Sequence, residues 1–274
     1  KKIIKNAQSE NLKSAILTFV PHPKVYFKKT NANFNIITND DKKNFLNLLG
    51  VENYIEYKFN KTLSSLDAKS FIEKILVKQL DIKKIVVGKD FRFGKDRKGD
   101  TALLKKLSGK YGYKLLIIRD VKNKITNVKF SSSTIRRNIN EGSFEKVTHA
   151  LGRNWFMQGK IIKGNQKARL INFPTANMKP SNHILPKKGV YCVNIKFMGN
   201  SYKGVANFGE RPTVKGVNLL LETHIFEFTK NIYGKELTVE FLTFIRPEKK
   251  FKDFKSLTNQ IKKDVIKAKK YHKI

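Results

Sequence analysis

Val190–Phe197 (VYCVNIKF), the turn Met198-Gly199-Asn200 and Tyr202–Asn207 (YKGVAN) set the architecture of the second half of the chain. Polar and apolar residues alternate along these runs, and a Gly/Asn turn between alternating runs marks an antiparallel hairpin. Working outward, Trp155–Ile162, Leu219–Phe228 and Leu237–Phe244 have the same character. Together they predict a small antiparallel barrel. The end, Asp253–Lys270, returns to helical spacing through Phe254, Leu257, Ile261, Val265, Ile266 and Ala268, so a terminal helix follows the barrel.

The first half reads differently. Ala15–Val20 (AILTFV) and Lys84–Gly88 (KIVVG) are short apolar runs typical of buried parallel strands, and Tyr54–Phe59 and Tyr113–Ile118 are further strand candidates. Helical spacing runs through Asp41–Leu49, closed by Gly50, through Asp67–Leu80 and through Thr101–Tyr111. This β-α-β alternation predicts an α/β domain with a parallel sheet, whose ligands bind at the carboxyl ends of the strands. The pattern changes around Ser143–Gly152, which divides the 274 residues into domains 1–144 and 145–274.

The formal net charge is +35, yet only nine of the 57 cations are Arg and the 48 lysines are scattered. A nucleic-acid reader would concentrate Arg and aromatic residues in one stripe or carry a helix-turn-helix or RNP-like motif, and neither is present. No specific nucleic-acid partner is expected. One cysteine, Cys192, excludes a disulfide framework and points to a reducing, cytoplasmic compartment. No apolar run reaches the roughly 18 to 20 residues that span a bilayer, so no membrane partner is expected.

Four segments carry candidate chemistry. Gly88-Lys89-Asp90-Phe91-Arg92-Phe93-Gly94 is a glycine-bracketed loop after a strand, in which Phe91 or Phe93 suits a planar ring and Arg92 a phosphate. It reads equally as a capped turn with two core phenylalanines. Ser131-Ser132-Ser133-Thr134-Ile135-Arg136-Arg137 opens a helix with hydroxyl caps and guanidinium groups, a combination that suits a polyphosphate, although an ordinary capped surface helix explains the hydroxyls equally well and the paired arginines less well. Phe173-Pro174-Thr175-Ala176-Asn177 offers a hydroxyl and a carboxamide two residues apart, suited to Mg²⁺ already carried by nucleotide phosphates, or is a simple loop. Glu222, inside Leu219–Ile225 (LLLETHI), is either solvated or held inside for proton abstraction, and periodicity does not choose between these.

The order of these segments resembles the bacterial bifunctional riboflavin kinase/FMN adenylyltransferase (FAD synthetase) family. Further matching pieces are Leu17–Pro23 (LTFVPHP), Lys98-Gly99-Asp100, Leu151-Gly152-Arg153, Gly189-Val190-Tyr191, Asn207–Thr213 (NFGERPT), Tyr233-Gly234-Lys235 and Ile245-Arg246-Pro247-Glu248. The PTAN (Pro174–Asn177) and LExH (Leu221–His224) elements are the most specific.

The resemblance implies a C-terminal riboflavin-kinase barrel and an N-terminal Rossmann-like nucleotidylyltransferase domain. ATP, riboflavin, FMN and FAD are the implied substrates and products, and Mg²⁺ the implied cofactor. In the kinase half, Glu222 is the implied catalytic base, Thr175 and Asn177 the Mg²⁺ ligands, and Gly159, Lys163 and Gly164 a loop over the nucleotide. Asn207, Arg211 and Arg246 are implied to shape the flavin side. In the adenylyltransferase half, Ser132 and the catalytic Arg136 are implied to align phosphates, while Gly88, Asp90, Phe91 and Gly94 form the flavin and nucleotide loop. The family begins with an FDGxHxGH segment, whereas this chain opens at Lys1-Lys2-Ile3-Ile4. The first strand of the parallel sheet is therefore expected to be missing. Two other readings remain: a riboflavin kinase with an impaired adenylyltransferase half, and a basic RNA-binding protein on a nucleotide-binding fold.

Overall fold

The computed structural model describes residues 2–30, 33–123, 128–163, 173–180, 183–213 and 216–274, with side chains 211–213 and 216–218 excepted. The chain divides into two compact units, Lys1–Phe130 and Ser131–Ile274.

The first unit contains α1 (Lys2–Ser9), β1 (Ala15–Val20), α2 (Pro23–Tyr26), α3 (Asn39–Leu48), β2 (Asn53–Lys58), α4 (Lys61–Ser65), α5 (Ala68–Ser70), β3 (Lys84–Gly88), α6 (Thr101–Tyr111) and β4 (Lys114–Ile118). Helix α5 runs on into a wider π-helical stretch, Phe71–Gln79. Asp67 caps α5, accepting from the Ser70 N–H at 2.9 Å, and Phe71, Ile72, Ile75 and Leu76 are buried as their spacing predicts. The four strands form two separate parallel pairs, β1 with β2 and β3 with β4, instead of one sheet. β1, with β2 beside it in a two-stranded sheet, is only half-buried. The apolar side expected for α3 is not buried either: Leu48 is 82% exposed, and the helix is held at its start by a Thr38/Asp41 capping box.

The second unit begins with α7 (Ser132–Glu141) and α8 (Phe144–Leu151). The strands β5 (Trp155–Ile162), β6 (Ala176–Met178), β7 (Gly189–Phe197), β8 (Asn200–Thr213), β9 (Gly216–Ile225) and β10 (Glu236–Pro247) follow, then α9 (Phe254–His272). They close an antiparallel barrel in the order β10-β5-β6-β9-β8-β7, as the hairpin pattern predicts. Phe144 of α8 packs with Trp155, Tyr191 and Phe241, ring centroids 5.0 to 5.6 Å apart, so this helix belongs to the barrel's core. Packing thus places both helices with the second unit. A second apolar cluster, Val190, Cys192, Val205, Phe226, Val265 and Ala268, joins α9 to the barrel wall. Cys192 is fully buried there, and burial pushes its thiol up to about 12.

Candidate functional site

Strand register brings distant residues into one row. Asn177 on β6 is the cross-strand partner of Glu222 on β9, Glu222 of Asn207 on β8, Asn207 of Val190 on β7, and Val190 of Arg246 on β10. Directly opposed residues present their side chains on one face of a sheet. Along β9, Leu221, Thr223 and Ile225 are buried, while Glu222 and His224 are half-exposed on the opposite face. That face is covered by α9, and between them lies a cavity of about 210 Å³ lined by Thr175, Asn207, Glu222, Arg246, Leu257 and Asp264, among others.

A larger cavity, about 610 Å³, lies alongside and is lined by residues including Ile161, Pro174, Ile225, Asn231 and Tyr233. Thr175 and His224 line both cavities. Asn177 is 4% exposed; its Nδ2 donates to the Thr175 carbonyl at 3.3 Å, and its buried Oδ1 has no hydrogen-bond partner. An acceptor left bare in the interior costs about 1–3 kcal/mol unless something fills it. With the Thr175 hydroxyl, it supplies neutral oxygens of the kind a hard divalent cation takes. Among the described residues no group of three or more His, Cys, Asp and Glu side chains forms a metal cluster.

Arg246 reaches the row but is engaged from behind. Its Nε lies 2.9 Å from both Asp264 oxygens and its Nη2 2.7 Å from Oδ2, while Gln260 also donates to Asp264 at 2.9 Å. This fork ties α9 to β10 beside the smaller cavity. Asp264 was not legible as a functional position, being one acid in a lysine-rich helix. His224 lay within the LExH motif without a role. Its Nδ1 is 2.9 Å from the Pro174 carbonyl, and burial draws its pKa below the usual histidine value, partly opposed by that bond.

The remaining residues divide between packing and exposure. Gly159 on β5 faces Met178, whose Sδ would lie 2.9 Å from an added Cβ, so close packing accounts for this glycine. Lys163 is exposed just after β5, and Gly164 lies outside the described residues. Arg211 is opposite Asn218 in the β8–β9 register. Ser132 is exposed at the first turn of α7, whose cap is Ser131, and Arg136 one turn on is half-buried, which draws its pKa down.

In the first unit, the loop leaves β3 at Gly88. Asp90 pairs with Lys129 at 2.8 Å, and Lys129 also holds Asp120 at 2.8 Å. Phe91 stacks on buried Phe93 at 5.4 Å, and Arg92 pairs at 3.1 Å with Asp100, the cap of α6. Gly94 has φ 72°, and an added Cβ would meet the Ala68 backbone at 2.7 Å. Both readings of this loop therefore share one geometry: a core-anchored turn that leaves Phe91 half-exposed at a strand's carboxyl end.

Comparison with known proteins fits this geometry. The family model for riboflavin kinase matches residues 151–272, and the one for FAD synthetase matches residues 1–134. The bifunctional riboflavin kinase/FMN adenylyltransferase of Haemophilus influenzae is 38% identical over 97% of this chain and 86% of that protein. The chain belongs to the bifunctional riboflavin kinase/FMN adenylyltransferase family. Another family member, from Bacillus subtilis, is 35% identical over 97% of this chain and 84% of its own length. A crystal structure described as a macrolide-efflux protein from Streptococcus pneumoniae superposes with a TM-score of 0.84 at 28% identity, covering 95% of this chain and 84% of that one. Among the described residues of this family member, no helix is long and apolar enough to cross a membrane.

Proposed function

We propose that residues 145–274 transfer the γ-phosphoryl group of ATP to the ribityl 5′-hydroxyl of riboflavin, giving FMN and ADP, and that residues 1–144 join FMN to AMP, giving FAD and pyrophosphate. The two family models fall inside these ranges, while α7 and α8 pack with the second unit. The observation that carries the kinase reading is the register of Asn177, Glu222 and Asn207, with Thr175 in the wall shared by two cavities.

In this reading the smaller cavity takes the flavin and the larger one the nucleotide. As the 5′-oxygen bonds to Pγ and the bond from Pγ to the ADP oxygen breaks, the hydroxyl proton passes to Glu222. Asn207 and the Asp264-held Arg246 border the flavin, with Arg211 further along β8. Thr175 and Asn177 would hold Mg²⁺, a role that the bare Oδ1 of Asn177 fits. When bound, the metal offsets charge on the ATP phosphates. Lys163, exposed just after β5, is assigned to the loop over the nucleotide together with Gly159; Gly164, assigned to it by the resemblance, lies outside the described residues.

For adenylyl transfer, a phosphate oxygen of FMN attacks Pα and pyrophosphate leaves. Two anions must be aligned, a task assigned to Ser132 and the catalytic Arg136. Gly88, Asp90, Phe91 and Gly94 frame the flavin and nucleotide loop. The single buried cysteine supports a cytoplasmic setting, and the scattered lysines support small-molecule substrates without a specific nucleic acid. A kinase-only reading draws on the two separate strand pairs of the first unit.

Incubation with riboflavin, Mg²⁺ and ATP, followed by chromatography, tests these readings. FMN with FAD is the expected result. FMN alone selects the kinase-only form, and absence of both with tight, salt-sensitive RNA binding overturns the assignment.

A further inference from the structure

Thr175 and His224 are the two residues common to both cavity linings. His224 stands two residues beyond Glu222 on β9 and hence on the same face. Its Nδ1 lies 2.9 Å from the carbonyl oxygen of Pro174, the residue directly before Thr175. A carbonyl only accepts, so Nδ1 carries the proton. The ring is gripped edge-on by Phe173 at 5.3 Å and by buried Phe226 at 5.7 Å. The Phe173–Thr175 stretch is thus tied to β9 by a ring contact and a hydrogen bond to His224, beside the packing of Phe173 against the α9 cluster and the Asn177 Nδ2 bond to the Thr175 carbonyl.

We infer that His224 is a positioning residue for phosphoryl transfer: its Nδ1–H holds the Pro174 carbonyl and thereby keeps the Thr175 hydroxyl in the wall between the two cavities. The inference rests on the kinase reading above. Its physical basis is alignment. Glu222 is fixed by the β6–β9–β8 register, whereas Thr175 precedes β6 and has no ladder partner of its own. Beside the covalent link to Ala176 and the Asn177 Nδ2 bond to its carbonyl, a side chain from the strand that carries Glu222 helps to set Thr175 at a constant distance from that carboxylate. Misplacement by about 1 Å in such a constellation costs on the order of a hundredfold in rate. The hydrogen bond thus links the residue that takes the proton to the one that holds the metal-bearing nucleotide.

Two substitutions separate the hydrogen bond from the ring. His224→Phe keeps the aromatic contacts and removes the donor; His224→Asn keeps an N–H at the Nδ1 position and removes the ring. For His224→Phe, MgADP affinity by calorimetry and kcat for FMN formation are each expected to fall about tenfold, the factor of one lost hydrogen bond. Riboflavin affinity, read by quenching of its fluorescence, is expected to stay within about twofold, since Phe keeps an aromatic ring at this position in the wall of the flavin-side cavity. His224→Asn is expected to recover MgADP affinity and kcat to within about threefold of the unsubstituted chain. Unchanged MgADP affinity in His224→Phe overturns the inference, and so does an Asn variant as weak as the Phe variant. Should His224→Phe fail to fold by circular dichroism, His224→Leu replaces it in the same comparison. If the unsubstituted chain itself makes no FMN, the kinase reading fails; if it makes FMN and His224→Phe matches it, only the positioning role fails.

Discussion

Asn177 and Glu222 face each other across β6 and β9 as direct register partners, although 45 positions of sequence separate them. One brings a bare buried oxygen and the other a carboxylate that lines the smaller cavity. Neutral acceptor and proton acceptor are thereby fixed by the same backbone ladder, which leaves little freedom in their separation.

Replacing the carboxylate tests its role in the chemistry. Glu222→Gln is expected to lower FMN formation by about 10²–10⁴-fold while ATP binding persists, because the amide keeps the shape but takes no proton. Stopped-flow turnover together with nucleotide titration checks this, and normal turnover refutes the assignment.

Asn177→Leu separates stability from activity. The substitution removes an unpartnered buried acceptor but also the Nδ2 bond to the Thr175 carbonyl, so these opposing changes are expected to leave the thermal midpoint within about 5 °C while Mg²⁺-dependent kinase activity is lost. Calorimetry and FMN assays on one preparation read both. A larger fall in midpoint would show that the Nδ2 bond to the Thr175 carbonyl outweighs the bare acceptor.

The Arg246–Asp264 fork is buried on the acid's side, where Asp264 is 3% exposed. Asp264→Ala is expected to cost about 2–4 kcal/mol in urea unfolding, since it strands a guanidinium against the barrel. Riboflavin affinity is expected to weaken as well, because Arg246 and Asp264 both line the flavin-side cavity. Unchanged unfolding would mean that the fork contributes no net stability.

His272 near the end of α9 links stability to pH. Burial draws its pKa below the ordinary 6.5, opposed by bonds to the Gly204 and Val193 backbone and assisted by the Lys203 charge. Below the unfolded value, the unfolded chain therefore binds more protons than the folded one. The contribution is complete above 6.5 and is lost as pH falls from there toward the folded pKa. Thermal midpoints measured from about pH 8 down to about pH 5 are expected to decline below the mid-sixes, and His272→Gln to flatten that decline.

The barrel was legible because β7 and β8 alternate around a Gly/Asn turn, and the terminal helix because its apolar residues keep one period. Strand β6 was not. Its three residues sit in the PTAN segment between Pro174 and Pro180, too short a run for periodicity to register. The face of Glu222 stayed open because its run LLLETHI barely alternates: Leu220 is buried on the same face as Glu222, while Leu221, Thr223 and Ile225 are buried on the other. The parallel pairing in the first unit was legible, but the half-burial of β1 is set by what packs around it and not by its own apolar sequence. The fork between Arg246 and Asp264 joins two elements, and nothing in either element alone announces it.

The sealed thiol of Cys192 has a practical consequence. With its pKa near 12 and no exposed surface, it stays silent toward maleimides at neutral pH. The native chain is therefore a blank background for labelling. A cysteine introduced at exposed Met198, in the tip of the β7–β8 hairpin, would be the single reactive handle, giving an optical reporter without first stripping any native residue.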